Sequence, residues 1–173
     1  CQSEKRFAHT IGVMETAVSL AKQYGESVQK AQVAALLHDC AKCLPNDVIL
    51  TGCEDLGVNV SDWERENPAL LHAKLGACLA KTEYGINDVE IIDAICYHTT
   101  GRPNMTMLDK IIYIADYIEP NRNQAPNLEQ IRILAFEDID KALCEILKST
   151  LEYLHKGNKV IDPMTEKTYQ YYK

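Results

Sequence analysis

Ala34-Ala35-Leu36-Leu37-His38-Asp39-Cys40-Ala41-Lys42 is the stretch that decides how this chain folds and where its chemistry sits. An apolar helical run ends by presenting an imidazole, a carboxylate and an ammonium group side by side, and burying such groups without partners is costly. Successive helical residues lie about 100° apart, so His38 and Asp39 diverge at Cα yet both reach one cation, with Lys42 one turn later. The stretch reads as half of a metal site. A lone His-Asp pair is weak evidence in a chain with 5 histidines, so the partners must be sought elsewhere.

A chain of 173 residues suits one domain and buries roughly 70% of the surface its unfolded form exposes. The net charge of -7 argues against a nucleic-acid backbone as partner, since such binders carry basic stripes. An anionic substrate therefore needs a metal or clustered Lys and Arg. The 7 cysteines (Cys1, Cys40, Cys43, Cys53, Cys78, Cys96, Cys144) are odd in number and scattered, several inside apolar helical pattern, which fits a reducing, cytoplasmic setting. Cys40-Ala41-Lys42-Cys43 leaves a redox or structural zinc reading open, although no second C-x-x-C and no βαβ pattern supports it. No stretch reaches 18 uninterrupted apolar residues and nothing resembles a signal peptide, so a soluble protein with no membrane association is expected. The first residue is Cys rather than Met, and residues upstream are expected to be missing.

Helical periodicity runs through the chain. Phe7, Ile11, Met14, Val18 and Ala21 mark the apolar stripe of a first helix from Ser3 to Tyr24, closed by Gly25. His9 lies off that stripe, near Val13, Thr16 and Leu20, and reads either as a core histidine bonded to a backbone carbonyl or as a ligand. Ser27 caps a second helix that carries through the opening stretch until Leu44-Pro45 stops it. Asn46 to Gly57 forms one or two short helical pieces, and Ser61-Asp62-Trp63-Glu64 has the form of a capping box. Asn67-Pro68 opens a helix to Tyr84 bearing Leu71, Leu75, Cys78 and Leu79, with His72 and Gly76 beside that face. Asn87-Asp88-Val89-Glu90 is read as a second capping box, opening a helix that ends at His98. Met107 to Glu119 follows, placing Asp116 in a strongly apolar segment where it needs a partner: a salt bridge to Lys110 or Arg122, or a cation. Leu128, Ile131 and Leu134, then Ile139 to Leu154, continue the pattern to Gly157, and a tail from Lys159 to Lys173 follows. No β pattern, repeat or linker interrupts it, so a single all-α domain is expected.

Four of the 5 histidines (His9, His38, His72, His98) lie in or at the ends of four separate apolar helices, with Asp39 and Asp116 beside two of those positions. A set of six exceeds the three or four protein ligands of a usual zinc site, and two metals fit it better. Imidazole and carboxylate donors without thiolate suit iron, manganese, cobalt or nickel.

The order His9, His38-Asp39, Asp116 resembles the HD-domain metal-dependent phosphohydrolase superfamily, and the interposed His72 and His98 resemble its two-metal branch. Arg6-Phe7-Ala8-His9, His38-Asp39-Cys40-Ala41-Lys42, Leu71-His72 with Gly76-Ala77, His98-Thr99-Thr100-Gly101 and Lys110 through Asp116 to Glu119-Pro120-Asn121-Arg122 resemble the YqeK-type symmetrical bis(5′-nucleosyl)-tetraphosphatases. The resemblance implies a single HD-type helical bundle over residues 1–173 with a central two-metal site, its tail, residues 158–173, packing back nearby. It implies hydrolysis of dinucleoside polyphosphates, diadenosine tetraphosphate being cleaved symmetrically to two ADP by metal-activated hydroxide. The cofactors implied are two divalent metals, iron first. On this reading His9 and Asp116 serve one metal, His72 and His98 the other, and His38 and Asp39 the pair, with Asp39 as bridge and catalytic group. Lys42 and Arg122 neutralise the polyphosphate, with Arg102 and Lys110 as further cations. His72, His98, Thr99 and Gly101 also contact substrate. Ile161, Asp162, Pro163 and Tyr171 match the family's C-terminal segment more loosely, and Thr168-Tyr169-Gln170 stands where that family shows Ala-Arg-Asn. Three alternatives remain: another two-metal hydrolase acting on a cyclic dinucleotide or guanosine polyphosphate, a di-iron protein that activates dioxygen, and a non-catalytic nucleotide sensor. A homodimer is left open.

Overall fold

The computed structural model describes residues 3–173 and shows an all-helical domain with no strand among those residues. Cys1 lies outside them. Helix α1 (Glu4–Tyr24) is capped by Ser3, whose hydroxyl accepts from the Arg6 N–H, and ends at Gly25 in the left-handed conformation at φ 68°. Of the expected stripe, Ala21 is buried and Ile11, Met14 and Val18 are half-buried, but Phe7 is not in the core. Phe7 is 59% exposed, and the buried line runs through Thr10, Gly12, Val13, Ala17, Leu20 and Ala21. Small side chains on that line let α1 pack between two neighbours, α2 (Val28–Leu37) and α7 (Met107–Ile118). His9 is thereby carried toward the interior.

Helix α2, capped by Ser27, stops at Leu37 rather than at Leu44-Pro45. The cause is local. The His38 ring Nδ1 donates to the Ala35 carbonyl at 2.6 Å, competing for the acceptor that the next helical N–H would use. The chain then tightens into successive turns, with Cys40 N–H to Leu37 O, Lys42 N–H to Asp39 O and Leu44 N–H to Ala41 O.

Beyond this turn come α3 (Asn46–Asp55) and α4 (Asp62–Glu66), the latter with the expected Ser61/Glu64 capping box. The helix expected from Asn67-Pro68 to Tyr84 is split: Pro68–Leu71 is a 3₁₀ turn, and α5 proper is His72–Thr82. Helix α6 (Val89–Cys96) is capped by Asp88 alone, which accepts from the Glu90 N–H, in place of the expected box. A second capping box does form, Thr106/Asp109 at the start of α7. Asp138 separates α8 (Leu128–Glu137) from α9 (Ile139–Lys156), and the expected tail contains a further helix, α10 (Pro163–Tyr172), capped by Asp162.

Helix α7 is the axis of the bundle. Ile111, Ile112, Ile114 and Ala115 are fully buried on it, packed among α1, α2, α6 and α9. Burial of each isoleucine side chain contributes roughly 1.5–3 kcal/mol. A second, smaller apolar cluster (Ala41, Ile49, Cys53, Leu71, Leu75) sits under the turn that follows α2. Gly101 joins the loop after α6 to α10. At φ 63° only glycine is unstrained there, and a Cβ would lie 2.7 Å from Thr168 Cγ2. The Tyr172 hydroxyl accepts from the Met105 N–H at 2.7 Å, so α10 folds back on that loop. No described helix is long and apolar enough to cross a membrane.

Candidate metal centre

Three of the four expected imidazoles are positioned by the same device. His38 follows the last residue of α2, His72 begins α5, and His98 lies in the turn after α6; each ring Nδ1 donates to the carbonyl three residues earlier. The distances are 2.6 Å to Ala35, 2.8 Å to Ala69 and 2.8 Å to Ile95. These bonds place the ring proton on Nδ1 and leave the Nε2 lone pair free, as metal ligation requires. His9 differs. It lies inside α1, where the Arg6 carbonyl three residues back already accepts the Thr10 hydroxyl at 3.1 Å, and its Nδ1 meets Glu119 Oε1 at 3.1 Å instead.

All four Nε2 atoms converge on Asp39. Its Oδ1 lies 3.3 Å from His72 Nε2 and 3.3 Å from His98 Nε2, while its Oδ2 lies 3.6 Å from His38 Nε2 and 4.0 Å from His9 Nε2. His9 Nε2 is also 3.2 Å from Asp116 Oδ1. Lone pairs thus face carboxylate oxygens. His38 Nε2 and Asp39 Oδ1 are buried and have no hydrogen-bond partner, a costly state that a cation relieves. Burial works to raise the Asp39 carboxyl, but its polar contacts with His72 and His98 and the Lys42 ammonium outweigh it and hold Asp39 below the usual carboxylate range. An ionised, buried carboxylate ringed by imidazole lone pairs is suited to divalent metals with nitrogen and oxygen preference. Among the described residues, two overlapping triads could hold a metal ion: His9, His38 and Asp116, and His38, Asp39 and His98. Neither contains a thiol, and Cys40 Sγ faces the Gly76 carbonyl instead.

Two of these imidazoles are shifted in opposite directions. Burial, with His98 nearby, pushes His38 down to about 4, whereas contact with Asp116 raises His9 above 6.5 despite burial. The stability contributed by neutral His38 is complete above pH 6.5 and is lost as pH falls through about 4. That from charged His9 is complete below pH 6.5 and lost as pH rises through its raised value. In the metal-free protein, an NMR pH titration is expected to show His9 charged and His38 neutral between these limits; a shared midpoint would contradict the arrangement.

The expected cations divide into two groups. Lys42 Nζ lies 2.9 Å from Asp39 Oδ2, and Arg122 donates to Asp116 Oδ1 at 3.0 Å. Both line a cavity of about 830 Å³ that also includes His9, His98, Thr99 and Asp116. Arg102 does not reach it. Its guanidinium binds Asp109 Oδ2 at 2.7 Å and Asp93 Oδ2 at 2.9 Å. Lys110 pairs with Asp140 at 2.6 Å, which leaves Arg122 as the salt-bridge partner of Asp116. Asp162 and Pro163 line a second cavity, about 410 Å³, together with Thr99, Trp63 and Tyr97. Gly101 packs on Thr168, Ile161 is half-buried, and Tyr171 is exposed.

Glu119 is the residue that sequence reasoning passed over. It stands inside the Lys110-to-Arg122 stretch that carries the resemblance, but an acid closing an apolar helix before Pro120 reads as an ordinary helix end.

The pattern that defines the HD domain matches residues 6–121. A Bacillus subtilis (strain 168) protein named symmetrical bis(5′-nucleosyl)-tetraphosphatase is 43% identical over 98% of this chain and 90% of its own length. One of the same name from Halalkalibacterium halodurans is 46% identical over 96% of this chain and 88% of its own. A crystal structure from Clostridium acetobutylicum, described as a predicted HD superfamily hydrolase involved in NAD metabolism, superposes with a TM-score of 0.95. It is 43% identical, over 98% of this chain and 89% of that one.

Proposed function

The chain belongs to the HD-domain family, and from that membership and its site we propose that it hydrolyses diadenosine tetraphosphate symmetrically to two ADP. The observation that carries the reading is the convergence of four imidazoles on Asp39, beside a cavity whose rim holds Lys42 and Arg122. His9, His38, Asp39, His72, His98 and Asp116 would hold two divalent metals; the donor set suits iron, manganese, cobalt or nickel, and iron is the one the family resemblance implies. When bound, the metals supply Lewis acidity that activates water and polarises phosphoryl oxygens.

The remaining work falls to the chain. Asp39 presents one carboxylate oxygen to the His72–His98 side and the other to the His9–His38 side, which suits a bridging role. Lys42 and Arg122 sit where the polyphosphate would enter, and their charges offset the negative charge that moves to the leaving diphosphate. Breaking the central P–O–P bond with one water leaves the bridging oxygen on one half and adds the water oxygen to the other. Two identical nucleoside diphosphates result. The 7 cysteines, all of those described being free thiols, fit a cytoplasmic setting.

The test joins metal analysis of anaerobically purified protein to a nucleotide panel with product chromatography. Two metals per chain and ADP as sole product from diadenosine tetraphosphate are expected. Turnover confined to cyclic dinucleotides or guanosine polyphosphates, or binding without turnover, would overturn the assignment.

A further inference from the structure

We infer that Glu119 is a positioning residue for His9 and makes the two metal positions unequal, an inference that rests on the two-metal reading above. Glu119 is 2% exposed, and its carboxylate is clamped at both oxygens. Oε1 accepts from His9 Nδ1 at 3.1 Å, and Oε2 accepts from the Asn121 N–H at 2.7 Å. Asn121 in turn donates through its side chain to the Ala8 carbonyl at 3.2 Å, closing the loop back on α1. Gly12 makes the space. A Cβ there would lie 2.5 Å from Glu119 Oε2, so the carboxylate would have to shift to admit it.

The other three imidazoles are held by neutral backbone carbonyls, whereas His9 is held by a carboxylate. A carboxylate behind an imidazole fixes the tautomer and increases the basicity of the opposite nitrogen, and losing it costs about 10–100-fold in metal affinity. The position served by His9 and Asp116 therefore has two carboxylates acting for it beyond the shared Asp39. The position served by His72 and His98 has none. The first position should fill first and release its metal last.

The experiment titrates metal-free protein with manganese(II), following uptake by calorimetry and by paramagnetic resonance of the free ion. Wild type is expected to take up two ions in resolvable steps. Glu119→Ala should weaken the tighter step 10–100-fold and leave the weaker one unchanged, and Glu119→Gln, which keeps an acceptor for Nδ1, should recover part of the loss. Gly12→Ala displaces Glu119 without altering any of the six donors and should shift the same step, so the inference stays testable should Glu119→Ala not fold. Nitrogen NMR of metal-free protein, at a pH above that at which His9 loses its charge, adds a readout that a merely structural role would not move: the Nδ1-protonated form of His9 should give way in Glu119→Ala while that of His72 persists. Two unchanged steps in a folded variant, or equal weakening of both, would overturn the role of Glu119. Absence of manganese uptake by wild type would instead overturn the two-metal reading, with the NMR comparison still judging the His9 contact.

Discussion

Replacing Asp39 with alanine is expected to abolish hydrolysis and metal retention together while leaving the helical fold in place. The carboxylate is the one group that all four Nε2 atoms approach, within 3.3 to 4.0 Å. Its removal leaves each half of the site with imidazoles and no shared oxygen. Metal catalysis of this kind supplies several kcal/mol of transition-state stabilisation, so turnover should fall by at least about a thousandfold. The scaffold has little at stake. Asp39 lies in the turn after α2, and neither apolar cluster includes it. Circular dichroism should match wild type, elemental analysis should show metal loss, and product chromatography should show no ADP above background. Retention of both metals and wild-type turnover would remove Asp39 from the centre.

The fold was largely legible because helical periodicity and caps are local signals. Ser27 and Ser61 each cap the helix that their position predicts. What was misread depends on contacts that sequence spacing does not contain. The exposed Phe7 and the small buried residues Thr10, Gly12, Ala17 and Ala21 reflect two neighbours crowding α1. The early end of α2 reflects a side chain, His38, taking a backbone acceptor. Helix α10 carries few apolar residues and is held by Thr168 against Gly101 and by the Tyr172 hydroxyl.

At the site, the pattern of histidines and acids in separate apolar helices was enough to nominate six residues that the fold brings together. Spacing could not rank the cations. Arg102 and Lys110 look as available in sequence as Lys42 and Arg122, yet Asp93, Asp109 and Asp140 engage them from distant parts of the chain. Glu119 was hidden for the same reason, since its partner His9 lies 110 residues away.

Stripping the metals from the wild-type protein is expected to lower its thermal midpoint by roughly 5–10 °C per site while preserving helix content. A ligand present at about a hundredfold above its dissociation constant stabilises the folded state by about 3 kcal/mol, and a chain of this size shifts by about 2–4 °C per kcal/mol. Helix content should survive because the fully buried side chains of α7, Ile111, Ile112 and Ile114, belong to the larger apolar cluster, with Leu143, Ile146 and Leu147 of α9 among its members. The local cost is concentrated where His38 Nε2 and Asp39 Oδ1 are buried without hydrogen-bond partners, a state that destabilises by about 1–3 kcal/mol per group. The turn after α2 and the start of α5 should accordingly open before α7 does. Hydrogen exchange on metal-free protein should show faster exchange of backbone amides in residues 38–44 and 69–76 with little change in residues 107–118, and returning metal should reverse it. Uniform acceleration across all three segments would mean that the metals hold the whole bundle together, and that α7 is not the independent axis its burial indicates.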